Sequence, residues 1–247
     1  MKLKLSLFAL ACLLILPGCG FWKKVKSSYQ GTVLPAEVEL EEQPGMQGAR
    51  GKLAQLFCPL DQNLEFMLRE IRIKTDRPQE QWLRELHRSF SWVNGVAVVD
   101  RGGSIQARYP QSPVKPVDYS SLVRAASDWQ NRKMRTAVQK TELGPEVFVL
   151  RPFFERNEWQ GLVAVHFDPR TLARMSPQPD DLLMLGPDAL LWGGRYNKEG
   201  KELSELNWKS FLESDVNGHV TVQGKRFYWL ARFVGSDPLI YAVESGE

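Results

Sequence analysis

The chain is predicted to be an α+β protein with two antiparallel sheets, each backed by helices, behind an N-terminal leader and a flexible tether. Three observations carry this. Apolar residues recur every three or four positions from Leu53 to Ile71, as one helix face requires. Beyond residue 94 the hydrophobic period falls to that of strands. The order strand, strand, helix, three strands then occurs twice, with little residue identity between the copies. The spans implied are a signal peptide over 1–18, a modified cysteine and tether over 19–50, a first module over 51–177 and a smaller second module over 178–247.

The leader comes first. Lys2 and Lys4 open the chain, and a run from Leu5 to Leu16, apolar but for Ser6, leads to Pro17-Gly18-Cys19. A basic start, a short apolar stretch and a small-residue end describe a secretory signal. The run is too short for a membrane span, which needs roughly 20 apolar residues. Leu16-Pro17-Gly18-Cys19 resembles the lipobox of bacterial lipoproteins, with Pro17 where Ala, Ser or Thr is commoner. The resemblance implies cleavage ahead of Cys19, a diacylglyceryl group on its sulfur and a blocked or acylated amine. A plain cleaved signal beside an incidental cysteine is the alternative. Several acyl chains anchor stably, at about 0.8 kcal/mol per buried methylene. Asp after the cysteine is the inner-membrane retention signal of enterobacterial lipoproteins. Gly20 stands there instead, which favours the outer membrane, with the chain facing the periplasm.

The tether follows. Phe21, Trp22, Lys23, Lys24 and Lys26 suit a segment lying against lipid headgroups. From Val33 to Arg50 the chain carries Pro35, Pro44, Gly45 and Gly48 among Glu37, Glu39, Glu41 and Glu42, with no helical period. Order is expected from about Gly51. Leu53, Leu56, Phe57, Leu60, Leu64, Met67, Leu68 and Ile71 form the first helical stripe, and Pro59 marks either a kink or the true first turn. Asp76-Arg77-Pro78 reads as the start of a second helix, buried through Trp82, Leu83, Leu86 and Phe90.

Gly95 to Asp100, Arg101-Gly102-Gly103 and Ser104 to Tyr109 read as strand, turn, strand. A loop with Pro110, Pro113 and Pro116 leads to a predicted helix over Tyr119–Arg132. Strands are predicted at Arg135–Lys140, Glu146–Phe154 and Gln160–Phe167, and Asp168-Pro169 caps a short helix. The second copy has strands at Asp181–Leu185 and Ala189–Trp192, and a helix over Leu203–Ser214. Its last strands are Gly218–Gln223, Lys225–Val234 and Leu239–Val243. With its first strand pair tied by Gly186-Pro187-Asp188 and one short helix, this module is expected to be too compact for a roomy pocket, and to act as spacer or interface.

Composition narrows the chemistry. Removing Lys2 and Lys4 from the formal charge of +3 leaves +1, with both signs interspersed, so no nucleic-acid footprint is expected. With Cys12 in the leader and Cys19 lipidated, Cys58 has no intramolecular disulfide partner. It is expected to be a small apolar residue buried in the first helix. His87, His166 and His219 are widely spaced and lack metal-site spacing, so no metal or other cofactor is expected. Neither a nucleophile elbow nor a Gly-rich phosphate loop is present, and no catalytic residue is assigned.

The segment Val149-Leu150-Arg151-Pro152-Phe153-Phe154, a turn, then Gly161-Leu162-Val163-Ala164-Val165-His166-Phe167-Asp168 resembles the last two strands of a Cache domain. These are the extracytoplasmic PAS-like sensors of bacterial chemoreceptors and histidine kinases. The resemblance implies tandem PAS/Cache-like (dCache-type) antiparallel sheets with a long N-terminal helix over roughly 51–247, and a sensor or binding role without catalysis. The second transmembrane helix and the output module typical of that family have no counterpart in the sequence. Any signal is therefore expected to pass to an envelope protein partner.

His166 aligns with the family's strand-end acid, and the family's amino-acid pattern is matched only at Tyr119 and Arg124, so amino-acid binding is not supported. If the family pose holds, His166 points into a pocket lined by Arg151 with Tyr119, Arg124, Trp129 and Arg132. Guanidinium groups beside an imidazole would favour a small carboxylate or other anion. The alternative makes the arginines a solvated helix face and His166 a hydrogen-bonded core residue, leaving a ligand-free structural or adaptor lipoprotein.

Overall fold

The computed structural model describes residues 48–74, 76–125, 129–186 and 188–246. The signal peptide, Cys19 and the tether as far as residue 47 lie outside the described residues.

Helix α1 (Ala49–Ile73) buries Leu53, Leu56, Leu60, Leu64, Met67, Leu68 and Ile71, the stripe its spacing predicts. It runs through Pro59, which cannot donate to Gln55, and Asn63 Nδ2 donates to the Pro59 carbonyl at 2.8 Å. Cys58 is exposed rather than buried. It falls between Leu56 and Leu60, on the flank of the helix away from the stripe. Helix α2 (Glu80–Ser89) begins after Gln79, a little later than the Asp76-Arg77-Pro78 start, and buries Leu83 and Leu86.

Strands β1 (Val93–Asp100), β2 (Ile105–Tyr109), β3 (Arg135–Thr141), β4 (Gly144–Glu155) and β5 (Glu158–Phe167) form the first sheet, ordered β2-β1-β5-β4-β3. All its pairings are antiparallel. Between β2 and β3 the chain crosses one face of the sheet. This covering segment contains α3 (Tyr119–Ala125) and a 3-10 turn at Trp129–Asn131. The helix predicted to reach Arg132 is α-helical over Tyr119–Ala125 and has given way to the 3-10 turn by Trp129, with residues 126–128 outside the described residues. Asp168 accepts the Arg170 amide at 2.8 Å and caps α4 (Pro169–Ala173), as its sequence predicts.

The second sheet comprises β6 (Leu183–Gly186), β7 (Ala189–Trp192), β8 (Asn217–Val222), β9 (Lys225–Val234) and β10 (Asp237–Glu244). Its order, β7-β6-β10-β9-β8, repeats that of the first. Its crossing is two helices, α5 (Asn197–Ser204) and α6 (Trp208–Ser214), where a single one over Leu203–Ser214 was predicted. Asn207 causes the break: its side chain accepts the Ser210 amide and starts a new helix.

Strand alternation gives each sheet two unlike faces. One face of both sheets packs on α1 in a continuous core, through Val96, Val98, Val163 and Val165 of the first and Met184, Tyr241 and Val243 of the second. The opposite face of the first sheet packs on the covering segment through Ala97, Leu150, Leu162 and Ala164. The corresponding face of the second packs Leu185, Phe227 and Ile240 on Leu203 and Trp208. Polar contacts fix α1 along this core: Arg232 of β9 meets Asp61 at 2.7 Å and Glu65 at 2.5 Å, and Lys52 meets Asp181 at 2.8 Å.

The β9–β10 turn docks on the start of β3. Ser236 N donates to the Met134 carbonyl at 3.3 Å and Thr136 N donates to Asp237 Oδ2 at 2.5 Å. Gly235 lies at φ +67°, where a Cβ would overlap the Met134 carbonyl, so this approach requires glycine. Among the described residues, no helix is long and apolar enough to cross a membrane.

Because α1 is common to both sheets, the folded domain should unfold in one transition. Leu64→Ala should lower its stability by about 2–5 kcal/mol. Urea unfolding followed by circular dichroism and by tryptophan emission tests both statements. Two separated transitions would show that the sheets do not depend on one core.

Candidate functional site

Strand register determines which side chains meet beneath the covering segment. Phe148 of β4 lies opposite His166 of β5, and Arg151 lies opposite Val163. Leu162, Ala164 and His166 share the face under the covering segment, whereas Val163, Val165 and Phe167 face α1. By the same alternation Glu146 and Phe148 belong with His166, and Arg151 does not.

His166 is 1% exposed and stacks on Phe148 at 5.1 Å. Its Nδ1 lies 2.7 Å from Glu146 Oε1 and its Nε2 lies 3.1 Å from the Tyr119 hydroxyl. An ionised carboxylate only accepts, so Nδ1 donates to Glu146, and Nε2 and the Tyr119 hydroxyl share the second hydrogen bond of the ring. Burial pushes the Tyr119 phenol up to about 12, which keeps it protonated. Gly95 leaves room for the ring: a Cβ there would lie 2.9 Å from the imidazole Cε1.

Glu146 is fully buried and joins the histidine to a wider network. It accepts from Asn94 Nδ2 at 2.9 and 3.1 Å and faces Lys115 Nζ at 2.9 Å. Lys115 also meets Asp168 at 2.8 Å and donates to the Pro145 carbonyl at 2.7 Å, so each of its three N–H groups has an acceptor. Arg170 closes the chain on Asp168 at 2.5 Å. Burial alone would raise the Glu146 carboxyl, but hydrogen bonds from His166, Lys115 and Asn94 outweigh it and hold the group below the usual range. Burial likewise opposes ionisation of Asp168, and hydrogen bonds from Arg170 and Lys115 bring it down to about 2.

Of the site residues read from the sequence, the structure brings Tyr119 and His166 into contact. Trp129 joins the same cluster, with its indole N–H on the Val123 carbonyl at 3.2 Å and its ring stacked on Trp159. The three arginines stand elsewhere. Arg151 projects toward α1, where its guanidinium approaches the Pro152 and Asp76 carbonyls, and burial lowers it to about 10. Its position on the strand next to His166 was sufficient for adjacency, but its parity puts it on the opposite face. Arg124 is exposed and 4.0 Å from Asp118. Arg132 lies over the Phe154 ring at 4.1 Å and donates to Asn157.

Lys115, Asn94 and Glu146 were missed by the sequence reading. Glu146 was accessible in principle: an acid two residues before Phe148, at the start of an apolar strand, shares the inward face by alternation. Lys115 sits in a proline-marked loop with no period, and nothing local indicates its burial.

The second module also departs from expectation. A cavity of about 580 Å³ opens between α6, the β6–β7 turn and the β9–β10 hairpin. Trp208 of α6 packs on Trp229, but Phe233 and Pro238 lie farther along the sheet and line the space left uncovered.

No family model matches the chain, and no curated protein matches its sequence. Solved structures do resemble it. The extracellular ligand binding receptor from Desulfohalobium retbaense DSM5692 superposes with a TM-score of 0.52 at 15% identity, covering 80% of this chain and 39% of the receptor. The chain thus spans about two fifths of that protein's length. The extracellular domain of the histidine kinase rpHK1S-Z16 gives a TM-score of 0.51 at 18% identity, over 80% of this chain and 91% of that one. These likenesses show the fold: tandem PAS/Cache-like antiparallel sheets.

The network should make stability pH-dependent in a definite direction. A carboxyl held near 2 when folded, against an ordinary value of 3.8, contributes stability that is complete above about pH 4 and disappears as pH falls toward 2. Lys115→Met, which removes the cation shared by two buried carboxylates, should cost about 3–5 kcal/mol at pH 7. The deficit should shrink as the carboxyls protonate. Urea unfolding of both proteins at pH 7 and pH 3 measures it, and a deficit unchanged by pH would contradict the assignment.

Proposed function

We propose that this chain is a lipid-anchored extracytoplasmic lipoprotein whose first Cache-like module binds a small molecule and passes the event to a partner protein in the cell envelope. One observation carries the reading: the covering segment is held to the sheet by a buried, charged network instead of by apolar packing alone. Lys115 and Tyr119 of that segment close on Glu146 and His166 of the sheet and on Asp168 just past its β5 strand. Such a network is costly to leave half-made, so in this proposal opening of the segment is an all-or-none event. A ligand that favours the closed or the open segment shifts the population between the two.

Tyr119, Trp129 and His166 form the ligand-facing set in this proposal, with Arg124 and Arg132 on the solvent side of the same segment as the attraction for a carboxylate. Arg151, on the far sheet face, is left out of it. The lipobox-like Leu16-Pro17-Gly18-Cys19 supports the anchor, with Cys19 as the acylated residue, and Gly20 favours the outer membrane.

A second reading is favoured by the saturation of His166. Both ring nitrogens have partners and the ring is buried, as in a ligand-free adaptor that uses its surface for docking. A thermal-shift screen of the full chain against carboxylates and amines separates the two. Binding predicts at least one hit whose shift is lost in Tyr119→Phe, a variant that removes a single hydroxyl. A screen in which no hit depends on Tyr119 counts against binding by the first module. For the anchor, Cys19→Ala should abolish incorporation of an alkyne-labelled palmitate and release the chain from the membrane fraction. Retained label would refute it.

A further inference from the structure

The cavity of the second module has the size and the lining of a small-molecule site in its own right. At about 580 Å³ it lies within the usual range for such pockets. Leu212 of α6, with Phe233 and Pro238 of the sheet, gives it an apolar wall, and Phe233 is 39% exposed there. Three charged side chains also line it: Asp188 from the β6–β7 turn, and Lys209 and Glu213 from α6. Among the described residues none of the three has an ion-pair or hydrogen-bond partner, although this chain pairs many of its other charges.

The chemistry of the lining selects a ligand class. Two carboxylates and one ammonium leave a net negative charge beside an aromatic ring and aliphatic walls. A cationic amine would give the carboxylates from both sides a partner, with charge-assisted hydrogen bonds stronger than neutral ones. Its apolar body would cover Phe233, whose face also attracts a cation. An anion would meet two like charges.

We infer that this cavity binds a small amine carrying an apolar body, its ammonium between Asp188 and Glu213 and its body against Phe233. The site is separate from the Tyr119–His166 region and stands or falls without it.

Calorimetric titration of the full chain with hexylamine and phenethylamine, and with hexanoate and 3-phenylpropionate as anions of similar body, tests the inference. Both amines should bind and the two acids should not. The double variant Asp188→Asn/Glu213→Gln changes exposed side chains and should fold, yet should weaken amine binding at least about tenfold. Lys209→Gln should leave it unchanged or tighten it, and Tyr119→Phe should leave it unchanged. The inference is overturned if neither amine binds, if hexanoate binds as well as hexylamine, or if the double variant keeps the wild-type affinity. Loss of binding in Tyr119→Phe would also overturn it, by moving the amine to the first module.

Discussion

The apolar stripe of α1 is the constraint on which the rest of the domain depends. Each sheet presents one face that it cannot bury alone, and α1 supplies the covering surface for both. Burial of each large aliphatic side chain contributes about 1.5–3 kcal/mol, and the stripe holds seven such residues in a single row. Arg232, Asp61 and Glu65 then set the rotation of the helix, because the ion pairs lie beside the stripe and not within it. The two modules are thus joined less by a linker than by a shared interior.

Freed from that task, the opposite faces can differ. In the first module the face carries a network whose charges balance: two cations, Lys115 and Arg170, against two anions, Glu146 and Asp168. Balance matters because an isolated charge in a low-dielectric interior is costly, whereas a saturated set is tolerated and directional. In the second module the same face is sealed by Trp208, Phe227 and Trp229 near the middle, and opens where α6 ends its cover. One sheet order supports a sealed polar centre in one copy and a half-open cleft lined by apolar and charged side chains in the other.

Element type was highly legible in the sequence, since long-range pairing here follows local period. The strands at Ala189–Trp192 and Lys225–Val234 coincide with their predicted limits, and the inward and outward faces of β5 follow from alternation. The errors have different causes. Asn207 interrupts an otherwise helical stretch by capping a new helix, and Cys58 sits off a stripe that passes close by it. The site was legible only in part. Tyr119 and His166 were recognisable from family spacing. The arginines were grouped by proximity in sequence and strand order, without the register needed to assign their faces. Lys115 reaches its partners through a loop, where no periodic signal exists.

Asp237 has a role beyond joining the modules. Strand β3 is an outer strand of its sheet, and such strands expose backbone N–H groups that can template a foreign strand. The carboxylate of Asp237 occupies the outward Thr136 amide and faces Arg135, while the β9–β10 turn lies against Met134. The beginning of that edge is therefore already occupied by the chain's own loop. The other outer strands of the two sheets are β2, β7 and β8.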